Sequence, residues 1–266
     1  MRRFQSTTMR LKNQRFFLWF NQLVFPLFYL RHQGKPTTLV QADSKTRFNV
    51  RVNTSDILVV WEIWKAKIYD DPKFPIRTGD VVVDLGAHIG GFSVRAAQRA
   101  APGKVYAYEA SRSNFDMLAE NRSLNGLENL HAHHAAVSEK RGEMEFFLPG
   151  DNGALGSLLQ DANSPREKVR AMTLADILSE NNIERVDCLK MDIEGAEYGI
   201  LANCSRETLE RIRYIVMEYH EFMDDSRDHR ELVRLLESHG FRVAVEGGIF
   251  PQKILFGTGI IKAWRE

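Results

Sequence analysis

The chain holds 266 residues, with 36 Lys and Arg against 35 Asp and Glu and 44% hydrophobic side chains, which suits one large core with an extension better than two domains. Two cysteines, Cys188 and Cys204, exclude a disulfide framework and read as reduced thiols in a cytosolic setting; there is no metal-binding Cys/His spacing and no internal repeat. The near-zero net charge is unevenly spread, since residues 1–80 carry 14 Lys/Arg and 6 Asp/Glu, a net +8, against −7 for residues 81–266.

The basic first third opens on an aromatic run. Phe16-Phe17-Leu18-Trp19-Phe20 and Leu23 to Leu30 lie between Arg15 and Arg31, interrupted by Asn21, Gln22 and Pro26. These 15 residues fall short of the ~20 needed to cross a bilayer. No small-residue cleavage site follows at Arg31-His32-Gln33, so a signal peptide is not expected. Basic flanks with Trp and Phe suit an in-plane interfacial helix, and packing against the core or a second subunit fits about equally. Residues 1–35 are therefore expected to be dispensable for cofactor binding and to serve acceptor recognition, peripheral membrane contact or homodimerisation of a cytoplasmic protein. Further on, Trp61, Trp64 and Ile68 fall at helical spacing, which favours core packing. With Tyr69, the two tryptophans would also suit stacking on a sugar. Residues 1–77 together read as a basic, aromatic extension and cap ahead of a domain over 78–266.

From Thr78 onward strand and helix patterns alternate. Val81-Val82-Val83 makes a buried strand that ends at Asp84, and Gly86 and Gly90 turn the chain into a helix over 91–101. The spacing is G-x-x-x-G with an acid before the first glycine, not the dinucleotide G-x-G-x-x-G. Glycines let the backbone approach a ligand, and a carboxylate there suits an amine and a sulfonium, as S-adenosylmethionine presents. The plain alternative is an ordinary strand–turn–helix. Lys104 to Glu109 reads as the second strand and ends in an acid 25 residues after Asp84, placed to accept ribose hydroxyls. Helices at about 112–125, 173–182, 195–211 and 227–239 alternate with strands at 130–136, 186–191 and 213–219, and strands near 241–246 and 254–261 close the series. An insertion, Glu143–Leu148 and Val169–Thr173, brackets Pro149–Pro165, which reads as a substrate-covering loop or as plain disorder. Such alternation implies a mostly parallel sheet with helices on both faces.

Several blocks resemble the FkbM-type family of S-adenosylmethionine-dependent methyltransferases. They are Gly79 to Gly90, Val105 to Glu109, Leu124-Asn125-Gly126, Ala135 to Ser138, Thr173 to Asp176 and, most specific, Asp187 to Glu197 with its K-x-D-x-E-G-x-E. The chain departs from the family at His88, where Asn is usual, and at Ala110, where Pro is usual. The resemblance implies a Rossmann-like class I methyltransferase fold, with a seven-stranded, mostly parallel sheet whose last strand is antiparallel, helices on both faces and here an N-terminal helical extension. It also implies O-methylation of a sugar, glycan or natural-product scaffold.

Ligands of open α/β sheets sit beyond the carboxyl ends of the strands, where Asp84, Glu109, Asp192 and His220 all fall. Asp84 is expected to act through the methionine end of the cofactor or its water shell, Gly86, Ala87 and Gly90 through amides and open space, and Glu109 through the ribose. His88 would pack beside the donor or stay a hydrogen-bonded turn histidine. Ala136, at the end of the third strand, would leave room for adenine. For a hydroxyl acceptor His220 is the candidate base, with Asp192 orienting it or the acceptor, and a satisfied strand-end histidine is the alternative. Glu194 and Glu197 read as structural acids of a helix start. A divalent cation on Asp192, Glu218 and His220 is a further option, which the sequence does not require. The expected partner is a small-molecule or glycan hydroxyl, with no nucleic acid. The alternatives are an NAD-dependent oxidoreductase and a non-catalytic methyltransferase-like binding domain.

Overall fold

The computed structural model describes residues 25–147, 166–221, 228–247 and 258–265. The expectations placed on residues 1–24 and on the loop at 149–165 lie outside the described residues. Helix α1 (Phe25–His32) leads into a hairpin, β1 (Thr37–Gln41) and β2 (Arg47–Arg51), whose period-2 pattern buries Phe48 and Val50 completely. Asp43 sets its turn by accepting from the amides of Lys45 and Thr46, both at 2.9 Å. Helix α2 (Asp56–Trp61) continues into a π-helical turn, Glu62–Ala66. The extension is thus hairpin and helix rather than helix alone, because Arg47 to Arg51 alternate polar and buried apolar residues as a strand does.

The central sheet follows: β3 (Val82–Leu85), α3 (Gly91–Ala100), β4 (Val105–Glu109), α4 (Arg112–Leu124), β5 (Leu130–His134), β6 (Ala136–Val137), β7 (Gly142–Phe147), β8 (Arg166–Met172), α5 (Leu174–Glu180), β9 (Cys188–Met191), α6 (Glu197–Asn203), α7 (Arg206–Glu210), β10 (Tyr214–His220), α8 (His229–Ser238), β11 (Arg242–Gly247) and β12 (Thr258–Trp264). Seven strands pair in the order β11-β12-β10-β9-β3-β4-β5, with β12 antiparallel to both neighbours, as expected. Alternation splits each inner strand between two cores. Val83, Leu85, Leu189, Met191, Ile215 and Met217 face α5 to α8, whereas Val82, Val105, Ala107, Cys188 and Val216 face α3, α4 and the N-terminal unit. Phe48, Val60, Ile63 and Trp64 belong to that second core. Trp64 therefore packs, as its spacing predicts, and its indole nitrogen donates to Gly91 O at 3.1 Å.

The closing strand expected near 254–261 spans Thr258–Trp264, with 254–257 outside the described residues. The strand expected over Val169–Thr173 begins at Arg166, and two further boundaries differ in kind. The third strand ends at His134, and Ala136 leaves the main sheet to pair with Ala171 in a three-stranded sheet, β6-β8-β7. The helix expected over 195–211 is two helices, because Ser205 takes extended backbone (φ −66°, ψ 151°) and caps α7 through the Thr208 amide at 3.1 Å. No helix among the described residues is long and apolar enough to cross a membrane.

Candidate functional site

The turn after β3 is closed by its own hydrogen bonds. The amides of Gly86 and Ala87 both donate to Tyr108 O at 3.0 Å, and that of Gly90 donates to Ala87 O at 2.9 Å. A Cβ on Gly86 (φ +77°) would sit 1.8 Å from Asp192 O, and one on Gly90 (φ +89°) 2.6 Å from Leu118 Cδ1. The glycines are thus required where β9 and α4 press on the turn. The amides expected to be offered to a ligand are instead engaged within the chain.

Asp84 is fully buried rather than facing an open site. Its Oδ2 accepts from Ser93 Oγ at 2.5 Å, and its Oδ1 lies 3.1 Å from Lys190 Nζ. Lys190 is 3% exposed; it also donates to Gly86 O at 2.7 Å and lies 3.8 Å from Asp192 Oδ2. Burial works against its charge, but Asp84 and Asp192 outweigh burial and hold its pKa above the ordinary lysine value. The sequence reading gave this lysine no role. Its signal was a cation inside an apolar strand, two residues before Asp192.

Glu109 ends β4 as a fixed acceptor. Its Oε2 accepts from His88 N and its Oε1 from Ser111 N, both at 2.8 Å, with Asn114 Nδ2 at 3.4 Å. These three donors take three of the roughly four lone-pair sites of the carboxylate and leave one on Oε2 for a hydroxyl. His88 (φ +52°) takes a left-handed conformation unusual for a residue with a Cβ, and Glu194 (φ +53°) does the same in the loop after β9. The His88 Nε2 lies 3.8 Å from Asp56 Oδ1, and its buried Nδ1 has no hydrogen-bond partner among the described residues. Burial, only partly opposed by Asp56 and Glu109, lowers its pKa below the ordinary value, so the ring is neutral near pH 7. Ala136 is buried just beyond this end of the sheet, with the Ala135 amide on Glu109 O at 3.0 Å.

The fourth and fifth strands bring the second half together. Ligand atoms of Asp192, Glu218 and His220 lie within 4.8 Å of one another. His220 Nε2 is 3.8 Å from Asp192 Oδ1 and 3.7 Å from Glu194 Oε2, and Nδ1 is 3.3 Å from Glu197 Oε1. Glu197 is fully buried and also accepts from Ile193 N at 3.0 Å, so it orients the imidazole as well as starting α6. Tyr69, considered from sequence only as a flat face, donates to Asp192 Oδ2 at 2.9 Å and lies 3.4 Å from Glu218 Oε2. Burial, with Asp192 and Glu218 beside it, pushes the phenol well above its usual pKa, so it remains a donor.

Charges in this cluster set one another. Burial alone would lower His220, but Glu197, Glu194 and Glu218 outweigh it and push the imidazole up to about 10. Burial and the Asp192 charge push Glu218 up to about 8. Burial raises Asp192 too, but Lys190, His220 and the Tyr69 hydroxyl outweigh it and leave that carboxyl below its ordinary range. The resting cluster thus holds a protonated His220 at neutral pH, not the near-neutral base that sequence reasoning favoured.

Residues 84–243, more than half of the chain, match the family described as Methyltransferase FkbM domain. Methyltransferase 1 of Beauveria bassiana (strain ARSEF 2860) is 28% identical over 207 residues, covering 70% of this chain and 80% of the relative. The 31-O-demethyl-FK506 methyltransferase FkbM of Streptomyces tacrolimicus is 26% identical over 215 residues, covering 70% and 81%. Among solved structures, M. jannaschii TYW2 in complex with AdoMet is similar with a TM-score of 0.47 at 19% identity, covering 87% of this chain and 88% of that one. The family match sets aside the NAD-dependent alternative. With a Rossmann-like sheet and this match over most of it, the chain belongs to the FkbM family of S-adenosylmethionine-dependent methyltransferases.

Proposed function

We propose that the protein transfers a methyl group to a hydroxyl of a small molecule or glycan, a sugar or natural-product scaffold. The observation that carries this reading is the meeting of Asp192, Glu218, His220 and Tyr69 at the strand ends, beside the turn that holds Glu109. The Streptomyces relative's name includes an O-methyl acceptor position, which supports oxygen as the acceptor atom.

The residues present fit the cofactor. Glu109 would take a ribose hydroxyl on the free lone pair of Oε2, and Ala136 would leave space for the base. Gly86, Ala87 and Gly90 shape that floor, and Asp84 holds it through Lys190 and Ser93 instead of touching the ligand. When bound, S-adenosylmethionine supplies a methyl carbon made electrophilic by its sulfonium. The chain's task is alignment and exclusion of water, plus removal of the hydroxyl proton. Asp192 would orient the hydroxyl, and His220, once neutral, would take the proton at Nε2 while Glu197 holds Nδ1.

A second reading has its own observation. Two carboxylates and an imidazole within 4.8 Å make a ligand set for a divalent cation, with Glu197 holding the far nitrogen of His220 in the way outer carboxylates orient ligating histidines. Bound there, a cation would acidify the hydroxyl and relieve the crowding of charge. Residues 1–35 would serve acceptor recognition, membrane contact or dimerisation. Isothermal calorimetry with S-adenosylmethionine and NAD, followed by S-adenosylhomocysteine release over a panel of glycans and hydroxylated small molecules, tests the main reading. Cofactor binding with methylation confined to nitrogen or carbon acceptors would overturn it.

A further inference from the structure

The hairpin and helix that precede the methyltransferase sheet reach the cofactor turn by two routes. Arg51, the last residue of β2, grips the fully buried Asp56 with its amide at 2.9 Å, Nε at 2.9 Å and Nη2 at 2.8 Å. The same guanidinium reaches α4, donating from Nη1 to Ser113 Oγ at 2.8 Å and from Nη2 to Asn114 Oδ1 at 2.7 Å. Fixing Asn114 Oδ1 on a cation decides which way its amide faces. The Nδ2 then points at Glu109 Oε1, 3.4 Å away; a flipped amide would set oxygen against a carboxylate and oxygen's place on Arg51 would fall to an NH2. On the other side Asp56 Oδ1 stands 3.8 Å from His88 Nε2, and the His88 amide donates to Glu109 Oε2 at 2.8 Å. Arg51 and Asn114 thus brace one oxygen of Glu109, and the His88 amide, with its ring beside Asp56, holds the other. A second tie runs parallel: the fully buried Asn121 pairs with the backbone of Asn49 in β2 and donates to Ile89 O at 3.0 Å.

We propose that Arg51 is a positioning residue for the cofactor ribose, acting on a ribose hydroxyl through Asn114 and Glu109 without touching it. This rests on the reading of Glu109 as the ribose acceptor. The planar fork is what the role demands, because it holds a carboxylate on one side and two neutral acceptors on the other; lysine would keep the charge and lose the second arm. The N-terminal unit is thus a wall of the cofactor site as well as a neighbour of the acceptor cluster.

The test measures calorimetric affinity for S-adenosylhomocysteine and for its 2′-deoxy and 3′-deoxy analogues in the full chain and in Arg51→Ala, Arg51→Lys, Asn114→Leu and Glu109→Gln. Arg51→Ala is expected to weaken S-adenosylhomocysteine by about 10-fold or more, the worth of a lost charge-assisted contact. The loss should shrink to about 3-fold or less against at least one deoxy analogue, and Arg51→Lys should recover little of it. A variant that only loosened the fold would weaken all three ligands alike, and that result overturns the proposal. Glu109→Gln without effect would overturn the ribose reading itself. Glu109→Gln with effect and Arg51→Ala without would overturn the relay alone. Should Arg51→Ala not fold, Asn114→Leu cuts the same relay while leaving the Arg51–Asp56 pair, and the same pattern is required of it.

Discussion

Replacing Lys190 by methionine removes the cation that lies 3.1 Å from Asp84 Oδ1 and 3.8 Å from Asp192 Oδ2, at a place where Asp84 has no exposure to water. Breaking a buried pair by deleting one partner costs about 3–5 kcal/mol, because the other charge stays behind unpaired. The donation to Gly86 O at 2.7 Å adds about 1 kcal/mol. At about 2–4 °C per kcal/mol for a domain of this size, Lys190→Met should lower the melting temperature by roughly 8–24 °C. Asp84→Asn/Lys190→Met removes both charges and should recover a coupling energy of about 2 kcal/mol or more; the recovery stays incomplete because Asp192 also loses its cation. Thermal and urea melts of the four proteins measure this. A single variant within about 2 °C of the parent, or a double variant equal to the sum of the singles, would refute the claim that Lys190 is the electrostatic anchor of the turn.

Glu109→Ala should weaken S-adenosylmethionine by about 1.5–3 kcal/mol in calorimetry and also lower the melting temperature, because the His88 and Ser111 amides lose their acceptor; unchanged affinity would remove Glu109 from the ribose site. His220→Ala should spare cofactor affinity and lower turnover about 10²–10⁴-fold in a single-turnover assay; normal turnover would return His220 to a structural role. Because the folded pKa of His220 is raised from 6.5 to about 10, its stabilisation is complete below pH 6.5 and is lost as pH rises toward 10. Glu218, raised from 4.5 to about 8, acts in the same sense, so stability should fall across this range and turnover should climb if the imidazole is the base. An activity that vanishes with chelator, returns with a divalent cation and shows no such climb would assign the cluster to a metal. A chain beginning near Lys35 should keep cofactor affinity and lose acceptor turnover, liposome sedimentation or dimer mass; failure to fold would place the arm in the core.

Much of the fold was legible because the sheet is buried on both faces, and each inner strand announces itself as a short apolar run ending in an acid or a histidine. The strand-end positions of Asp84, Glu109, Asp192 and His220 followed from that pattern. Roles that depend on partners far along the chain did not. Gly86 reads as a ligand-facing glycine until Asp192 O is found where its Cβ would be. His220 reads as a base until Glu194, Glu197 and Glu218 are seen around it, two of them on another element. Tyr69 meets Asp192 across 123 residues, and no periodicity encodes such a meeting. The hairpin was missed for a different reason: its strands are five residues each, and the long aromatic run ahead of them dominates the local pattern.

Lys190 explains why the two halves of the site need not be considered separately. Its ammonium is shared between Asp84, which braces the turn after β3, and Asp192, which belongs to the acceptor cluster. The β3–β9 register sets Asp84 opposite Lys190 on the neighbouring strand, and the Asp192 amide donates to Leu85 O at 3.0 Å. A glycine at 86 is what lets that backbone come so close. The acid of the cofactor turn, the lysine of the fourth strand and the acid two residues later are therefore one electrostatic unit, with Tyr69 closing it from the N-terminal side. In the proposed function, an acceptor hydroxyl that approached Asp192 would meet a carboxylate whose charge is already balanced by a buried cation fixed to the turn after β3. Alignment between donor and acceptor would then come from the sheet strands, which hold a site more precisely than loops do. Specificity for the acceptor is left to the surrounding loops and the N-terminal unit, where a family with one chemistry can vary.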